Sequence, residues 1–279
     1  FLGLSEHDLP PAAGLPNQPQ LIPIRGQELQ TPYGHALLLG TSETVRWHQE
    51  GEIRKIDYIQ YDTHKQGGLF SVLHPFAAIP GTITPSWHWK AMDWSRVDLL
   101  EVWSGDWRVR FPEILKSLDL WDRLLNQGYR ITGVCGKGKT ETIDEATLEH
   151  IPKCVVLAEG PTETEVLSGL KQSRVYMTVE PAVSFWAESE HGGAFMGDEL
   201  RLPVGHVFLL RLTISQIDRC YMKIQTNAGT LCEMPVSSMR ETDLQFTAYA
   251  SEDIQWYRLE IFRFGRPLDD LLALTNPLF

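Results

Sequence analysis

The chain has 279 residues, and 43% of them are hydrophobic, which is enough to bury a large core in one barrel-sized domain or in a domain with a small partner. Lysine and arginine total 25 against 36 aspartates and glutamates, so the net charge of −11 repels nucleic acid and anionic membranes. No run of about 18 apolar residues is present to span a bilayer, and the signal-peptide pattern of a basic and then an apolar stretch is missing. We therefore predict neither nucleic acid nor a membrane as a partner.

Strands and helices alternate through the first 172 residues. A proline-rich stretch at 9–20 favours an exposed loop, and beyond it apolar runs predict strands while amphipathic runs predict helices. The clearest helix covers 112–126, with Pro112 suited to its first turn and Gly128 to its end. The predicted strands are 21–24, 36–40, 69–73, 97–103, 129–132 and 154–157, and the other predicted helices are 53–64 and one that begins at Thr162.

This alternation is typical of a parallel α/β fold, either an open sheet or a barrel. After Pro181 the pattern changes to short strands separated by turn residues, for example at 207–212 and 256–262, which predicts a small antiparallel β unit. We therefore predict an α/β domain over 1–180 and a β-rich domain over 181–279.

The four cysteines follow neither a metal-binding nor a disulfide-rich pattern. They are Cys135, Cys154, Cys220 and Cys232, and none of them forms a Cys-x-x-Cys motif. Cys220 and Cys232 flank a predicted turn at 226–229. Two interpretations stay open for this pair, a disulfide across a hairpin or two ordinary buried thiols.

Four residues that suit metal coordination lie near the ends of predicted strands, where an α/β fold gathers its functional loops. His7 follows a short apolar run, Glu28 and His35 lie in one polar segment, and His74 ends a strand before Pro75. A single histidine is more often structural or solvated, and a single glutamate is more often a surface acid. Together, imidazoles and a carboxylate suit Zn, Mn or Fe, so the set predicts a divalent-metal site.

The order of these motifs resembles a known family. A histidine after an apolar run is followed by Gly-x-Glu at 26–28, Gly-His at 34–35 and His-Pro at 74–75. This order is similar to that of the PHP superfamily, in the branch that contains carbaryl hydrolase and the microcin-immunity protein. Further similar stretches, which extend the resemblance over nearly the whole chain, lie at 101–105, 121–128, 169–176 and 275–277.

The resemblance implies a PHP-like distorted α/β barrel that carries a multi-metal site. It implies a metal-dependent hydrolase of a small-molecule substrate, acting on a phosphoester or on a related amide or carbamate bond. In such an enzyme the metals generate hydroxide and polarise the scissile bond. Carried over position by position, the resemblance assigns His7, Glu28, His35 and His74 as metal ligands.

The chain departs from the family's ligand set at both ends. Because the sequence begins at Phe1 rather than Met, we expect it to start inside a longer precursor, and the family's opening His-x-His motif would precede Phe1. Glu6 stands where the family usually has aspartate. Gly138 and Thr140 stand at the two ligand positions of the family's closing Asp-x-His motif, and neither replaces those ligands. A complete metal cluster is therefore not expected.

Lys137 and Lys139 add two positive charges beside the expected site, which raises the free energy of bound cations by Coulomb repulsion. Two interpretations follow. In the first, the chain is an active hydrolase in which both lysines bind an anionic group of the substrate. In the second, it is a catalytically inactive binding domain.

The segment 133–140 also matches the phosphate-loop pattern G-x-x-x-x-G-K-[ST]. In such a loop backbone N–H groups surround the phosphates, the lysine reaches them and the threonine binds Mg²⁺. The predicted strand at 129–132 suits this pattern, whereas the acidic segment at 141–145 opposes a nucleoside triphosphate. Nucleotide binding is thus a third hypothesis.

Overall fold

The computed structural model describes residues 2–7, 21–77, 87–89, 92–137, 150–215, 217–238, 241–265 and 268–279, with the backbone alone at 2–7 and 237–238. The proline-rich stretch at 9–20, predicted to be a loop, lies outside these residues. The chain forms two compact units, the first from 1–102, 113–131 and 158–171, and the second from 103–112, 132–157 and 172–279. The predicted boundary at residue 180 divides the chain into domains, which need not coincide with these compact units, so it stays a prediction.

Strands dominate the described residues, which contain eighteen strands and three α-helices. The first nine strands are β1 (Leu2–His7), β2 (Pro23–Thr31), β3 (Gly34–Leu39), β4 (His48–Gln49), β5 (Glu52–Ile53), β6 (Leu69–Val72), β7 (Leu99–Ser104), β8 (Thr132–Gly136) and β9 (Lys153–Val156). The others are β10 (Val175–Thr178), β11 (Val183–Ser189), β12 (Gly192–Phe195), β13 (Val207–Ile214), β14 (Ile217–Thr226), β15 (Gly229–Ser238), β16 (Thr242–Tyr249), β17 (Tyr257–Arg263) and β18 (Asp270–Thr275). The helices are α1 (Ile56–Lys65), α2 (Trp107–Asn126) and α3 (Glu163–Lys171).

In the main sheet of the first unit the strands lie in the order β1-β2-β3-β6-β7. β1 and β2 run parallel, as do β6 and β7, but β3 is antiparallel to both of its neighbours. The prediction of an α/β barrel is therefore wrong: the described part of the chain is mostly β, and none of its sheets closes into a barrel. The physical reason is the connection between β2 and β3, because two residues join antiparallel strands whereas a parallel pair needs a long crossover.

Helix α2 begins five residues before its predicted start. Asp106 caps it, since its Oδ1 accepts a hydrogen bond from the backbone N of Arg108 at 2.9 Å. Pro112 is consequently the sixth helical residue rather than part of the first turn. At the other end, the indole Nε1 of the buried Trp121 donates to the carbonyl of Ile131 at 2.8 Å. No helix in the described ranges is long and apolar enough to cross a membrane.

The second unit contains two sheets, β15-β14-β17-β18-β10-β9 and β12-β11-β13-β16, whose recorded strand pairs are all antiparallel. Burial alternates along β13, as expected for a strand with one face on a core. Side chains from both sheets form one buried apolar cluster, which includes Phe185, Leu210, Met222 and Leu259.

Strand β8 is fixed within the second unit by Asn276, which follows β18. The fully buried side chain of Asn276 accepts from the N of Gly133 at 2.8 Å and donates to the carbonyls of Gly133 at 2.8 Å and Val175 at 3.0 Å. One side-chain amide therefore satisfies both backbone polar groups of Gly133, as a neighbouring strand would. The strand predicted at 129–132 is shifted, because β8 begins only at Thr132.

The hairpin of β14 and β15 does not bring Cys220 and Cys232 together. Cys220 lies opposite Val236, and Cys232 lies opposite Ile224, so the two thiols occupy different positions along the ladder. Both are free; Cys220 is buried, as expected of an ordinary buried thiol, whereas Cys232 is only partly buried. The closest described pair of thiols is instead Cys135 and Cys154, whose Sγ atoms lie 3.3 Å apart.

Candidate metal centre

Glu28 and His35 come from the two strands of one hairpin. The register of β2 with β3 pairs Gln30 with His35 and Glu28 with Leu37. Directly opposed residues, and residues two apart on one strand, share a face of a sheet, so Glu28 and His35 project to the same side. Their side chains meet there, with 3.2 Å between Glu28 Oε1 and His35 Nδ1.

The turn of this hairpin depends on Gly34. Thr31 pairs with Gly34, so only Pro32 and Tyr33 form the loop, and the φ of Gly34 is +126°. A Cβ at this position would lie 2.7 Å from Cε3 of Trp87. Both the backbone conformation and the close approach therefore require glycine. The sequence analysis placed Glu28 and His35 in one polar segment and did not predict this turn.

His74 reaches the other two residues from the end of β6. Leu73 donates its backbone N–H to the carbonyl of His35 at 3.1 Å, and the next residue leaves the strand conformation with a φ of +27°. The rings of His35 and His74 then lie 5.1 Å apart in an edge-to-face arrangement. Positive φ at a residue other than glycine is strained, and such strain is concentrated at functional sites.

Glu101 holds the strained backbone of His74 in place. This carboxylate lies on β7 and is only 3% exposed, and its Oε2 accepts a hydrogen bond from the N of His74 at 2.7 Å. Sequence reasoning did not assign Glu101 a role. The available signal was an acidic residue in the middle of the apolar run at 99–103, where a buried carboxylate needs a polar partner.

One possible ligand atom from each of Glu28, His35 and His74 lies within 4.8 Å of those of the other two. His35 is buried, and Glu28 and His74 are partly buried. Two imidazoles and one carboxylate form a donor set that suits Zn, Mn or Fe. The structure thus brings together three of the four residues that were predicted as metal ligands.

The fourth predicted ligand, His7, is placed by its backbone. The parallel register of β1 and β2 sets His7 directly beside Glu28. Its side chain lies outside the described residues, so its role as a ligand stays a prediction.

The Gly133–Thr140 stretch does not begin as a phosphate loop. Residues up to Gly136 belong to β8, and the N–H groups of Gly133 and Cys135 already donate to Asn276 and Cys154. Such a strand conformation opposes the use of these N–H groups to surround phosphates. Lys137 is exposed, whereas Gly138, Lys139 and Thr140 lie outside the described residues, so the predicted substrate-binding role of the two lysines is still a prediction.

A cavity of about 360 Å³ in the second unit is lined by Asp106, Arg108, Glu180 and Arg263, among others. Burial raises the pKa of Asp106, but the hydrogen bonds and charge of Arg108 outweigh this effect and hold the pKa below its ordinary value. Arg263 is paired with Glu180. Because these cations and carboxylates neutralise one another, the cluster in the first unit is the better candidate for chemistry.

No protein-family model, curated protein or solved structure matches this chain.

Proposed function

We propose that the chain is a metal-dependent hydrolase that cleaves a phosphoester or a related amide or carbamate bond in a small molecule. The proposal rests on one observation: Glu28 of β2, His35 of β3 and His74, which follows β6, converge at one place. The order of motifs that resembles the PHP superfamily supports the same reaction class. A divalent ion held by these residues would supply Lewis acidity and lower the pKa of a water molecule.

The residues of the site have separable roles in this proposal. With its proton on Nδ1, His35 donates to Glu28 and keeps Nε2 for the metal, which is the usual effect of a carboxylate beside a ligating histidine. Glu101 positions His74 through its backbone N–H. His7, beside Glu28 in the register, would complete the donor set.

A groove of about 530 Å³ in the first unit would receive the substrate; its lining includes Tyr33, His88, Trp89 and Lys55. The segment 87–89 bonds to residues that lie near the two histidines in sequence: Trp87 N donates to Pro75 O at 2.8 Å, and His88 N donates to Tyr33 O at 2.9 Å. Tyr33 and Trp89 have ring centroids 4.9 Å apart and offer apolar faces to a substrate ring.

The proposal predicts that replacing either histidine removes metal binding and activity together. In calorimetric titrations of tag-free protein with Zn²⁺ and Mn²⁺, His35→Asn and His74→Asn should each weaken binding by at least about 100-fold. Hydrolysis of bis(p-nitrophenyl) phosphate with added metal should fall in parallel. His48→Asn, at an exposed histidine on β4, is the matched control and should behave like wild type.

Two results would count against this function. Hydrolysis that needs no metal would remove the proposed chemistry. Tight metal binding at this cluster without hydrolysis of phosphodiester, amide or carbamate substrates would instead favour an inactive binding domain.

A further inference from the structure

We propose that the second unit carries another divalent-metal site, formed by Glu190, His191 and His206. One possible ligand atom from each residue lies within 4.8 Å of those of the other two. This proposal rests on residues of the second unit alone and does not depend on the hydrolase function.

The strand register explains why the two histidines meet. β11 and β13 are antiparallel, with Glu188 opposite Leu209. His191 lies in the turn that follows β11 and His206 lies directly before β13, so both are at the same end of this ladder. The rings are indeed stacked, with centroids 5.3 Å apart and an interplanar angle of 28°.

The register is itself fixed by the core. Phe185 and Ala187 on β11 pair with Leu212 and Leu210 on β13, and all four are buried. A shift by one residue would expose this apolar face, so the pairing of the strands, and with it the histidine pair, has little freedom to slip.

The backbone on both sides of the site is anchored by hydrogen bonds. At the β11–β12 turn, Ser189 Oγ donates to Gly192 O at 3.0 Å and accepts from His191 N at 3.1 Å. On the other side, His206 N donates to Pro203 O, and the carbonyl of His206 accepts from Ala250 N. The histidines are therefore presented by fixed backbone, and only side-chain rotamers must be ordered when an ion binds.

The donor chemistry selects the class of ion. Two imidazoles favour Ni²⁺, Cu²⁺ or Zn²⁺, whereas a single carboxylate does not supply the oxygen ligands that Ca²⁺ and Mg²⁺ require. Glu190 contributes the negative charge, with its Oε1 3.5 Å from His191 Nε2. The His191 side chain is 50% exposed, so an ion enters directly from solvent.

The test separates the two sites by titrating tag-free protein with Ni²⁺ in a His35→Asn/His74→Asn background. We expect one remaining site, lost on His206→Asn or His191→Asn, weakened on Glu190→Gln and unchanged in the His48→Asn control. Thermal unfolding should show a Ni²⁺-dependent rise in Tm that His206→Asn abolishes.

No Ni²⁺ binding in the His35→Asn/His74→Asn background would overturn the inference, as would binding that survives His206→Asn. Absence of metal binding at Glu28, His35 and His74 gives a different result: wild type would then bind a single ion, and His206→Asn rather than His74→Asn would remove it.

Discussion

Asn276→Ala is expected to lower the free energy of unfolding by about 4 kcal/mol, because three buried hydrogen bonds are lost and the groups they satisfied stay buried. The side chain of Asn276 is fully buried and bonds both polar groups of Gly133 and the carbonyl of Val175. Alanine leaves both polar groups of Gly133 without this partner and creates a small cavity, whereas the carbonyl of Val175 keeps the bond from the backbone N of residue 276 at 3.1 Å. The effect should be largest on β8, because both backbone polar groups of Gly133 bond to Asn276.

Urea unfolding followed by circular dichroism and tryptophan fluorescence measures this loss. Gln49→Ala, at an exposed amide on β4, is the control and should change stability by less than about 0.5 kcal/mol. If Asn276→Ala does not fold, Asn276→Asp tests the same bonds, since it keeps an oxygen acceptor for Gly133 N and loses the two donated bonds. A loss below about 1 kcal/mol in both variants would show that these bonds are not required.

Glu101→Ala is expected to weaken Zn²⁺ binding about 10- to 100-fold, although Glu101 is not among the predicted ligands. Its carboxylate accepts from the backbone N of His74, which has a φ of +27°. Without this bond the His74 backbone relaxes toward an ordinary conformation and carries the imidazole away from His35. Because a buried N–H also loses its acceptor, stability should fall by about 2 kcal/mol.

Glu101→Gln separates positioning from charge. Glutamine keeps an oxygen acceptor for His74 N, so it should restore most of the Zn²⁺ affinity that alanine loses. Glu52→Ala, at an exposed glutamate on β5, serves as the charge-matched control. Wild-type affinity in a folded Glu101→Ala protein would contradict the positioning role.

Hydrophobic patterning predicted individual elements better than their arrangement. The strand Leu69–Val72 follows from a local apolar run. The start of α3 follows from the capping pattern at Thr162, whose hydroxyl accepts a hydrogen bond from Glu165 N. The prediction of a barrel was wrong because the alternation of strands and helices was taken to mean that all the strands pair in parallel. The turn at Pro32 and Tyr33 reverses the chain within two residues. The sequence signal for this turn is the glycine at position 34, where φ is positive.

The sequence predicted the candidate site only in part. Residue type and motif order, through the resemblance, selected Glu28, His35 and His74, but neither showed how they meet. Glu28 and His35 converge because of a hairpin register, and His74 joins them because the backbone leaves the strand conformation. Glu101 was missed because its role is a hydrogen bond to the backbone, which no spacing rule records.

The backbone conformation at His74 lowers the stability of the fold, although His74 belongs to the candidate site. Glycine adopts positive φ at little cost in free energy. A φ of +27° at position 74 therefore favours glycine over histidine when the local backbone alone is considered. Under the proposed function, replacing His74 by glycine would raise stability and remove a metal ligand, a trade-off that active sites commonly carry.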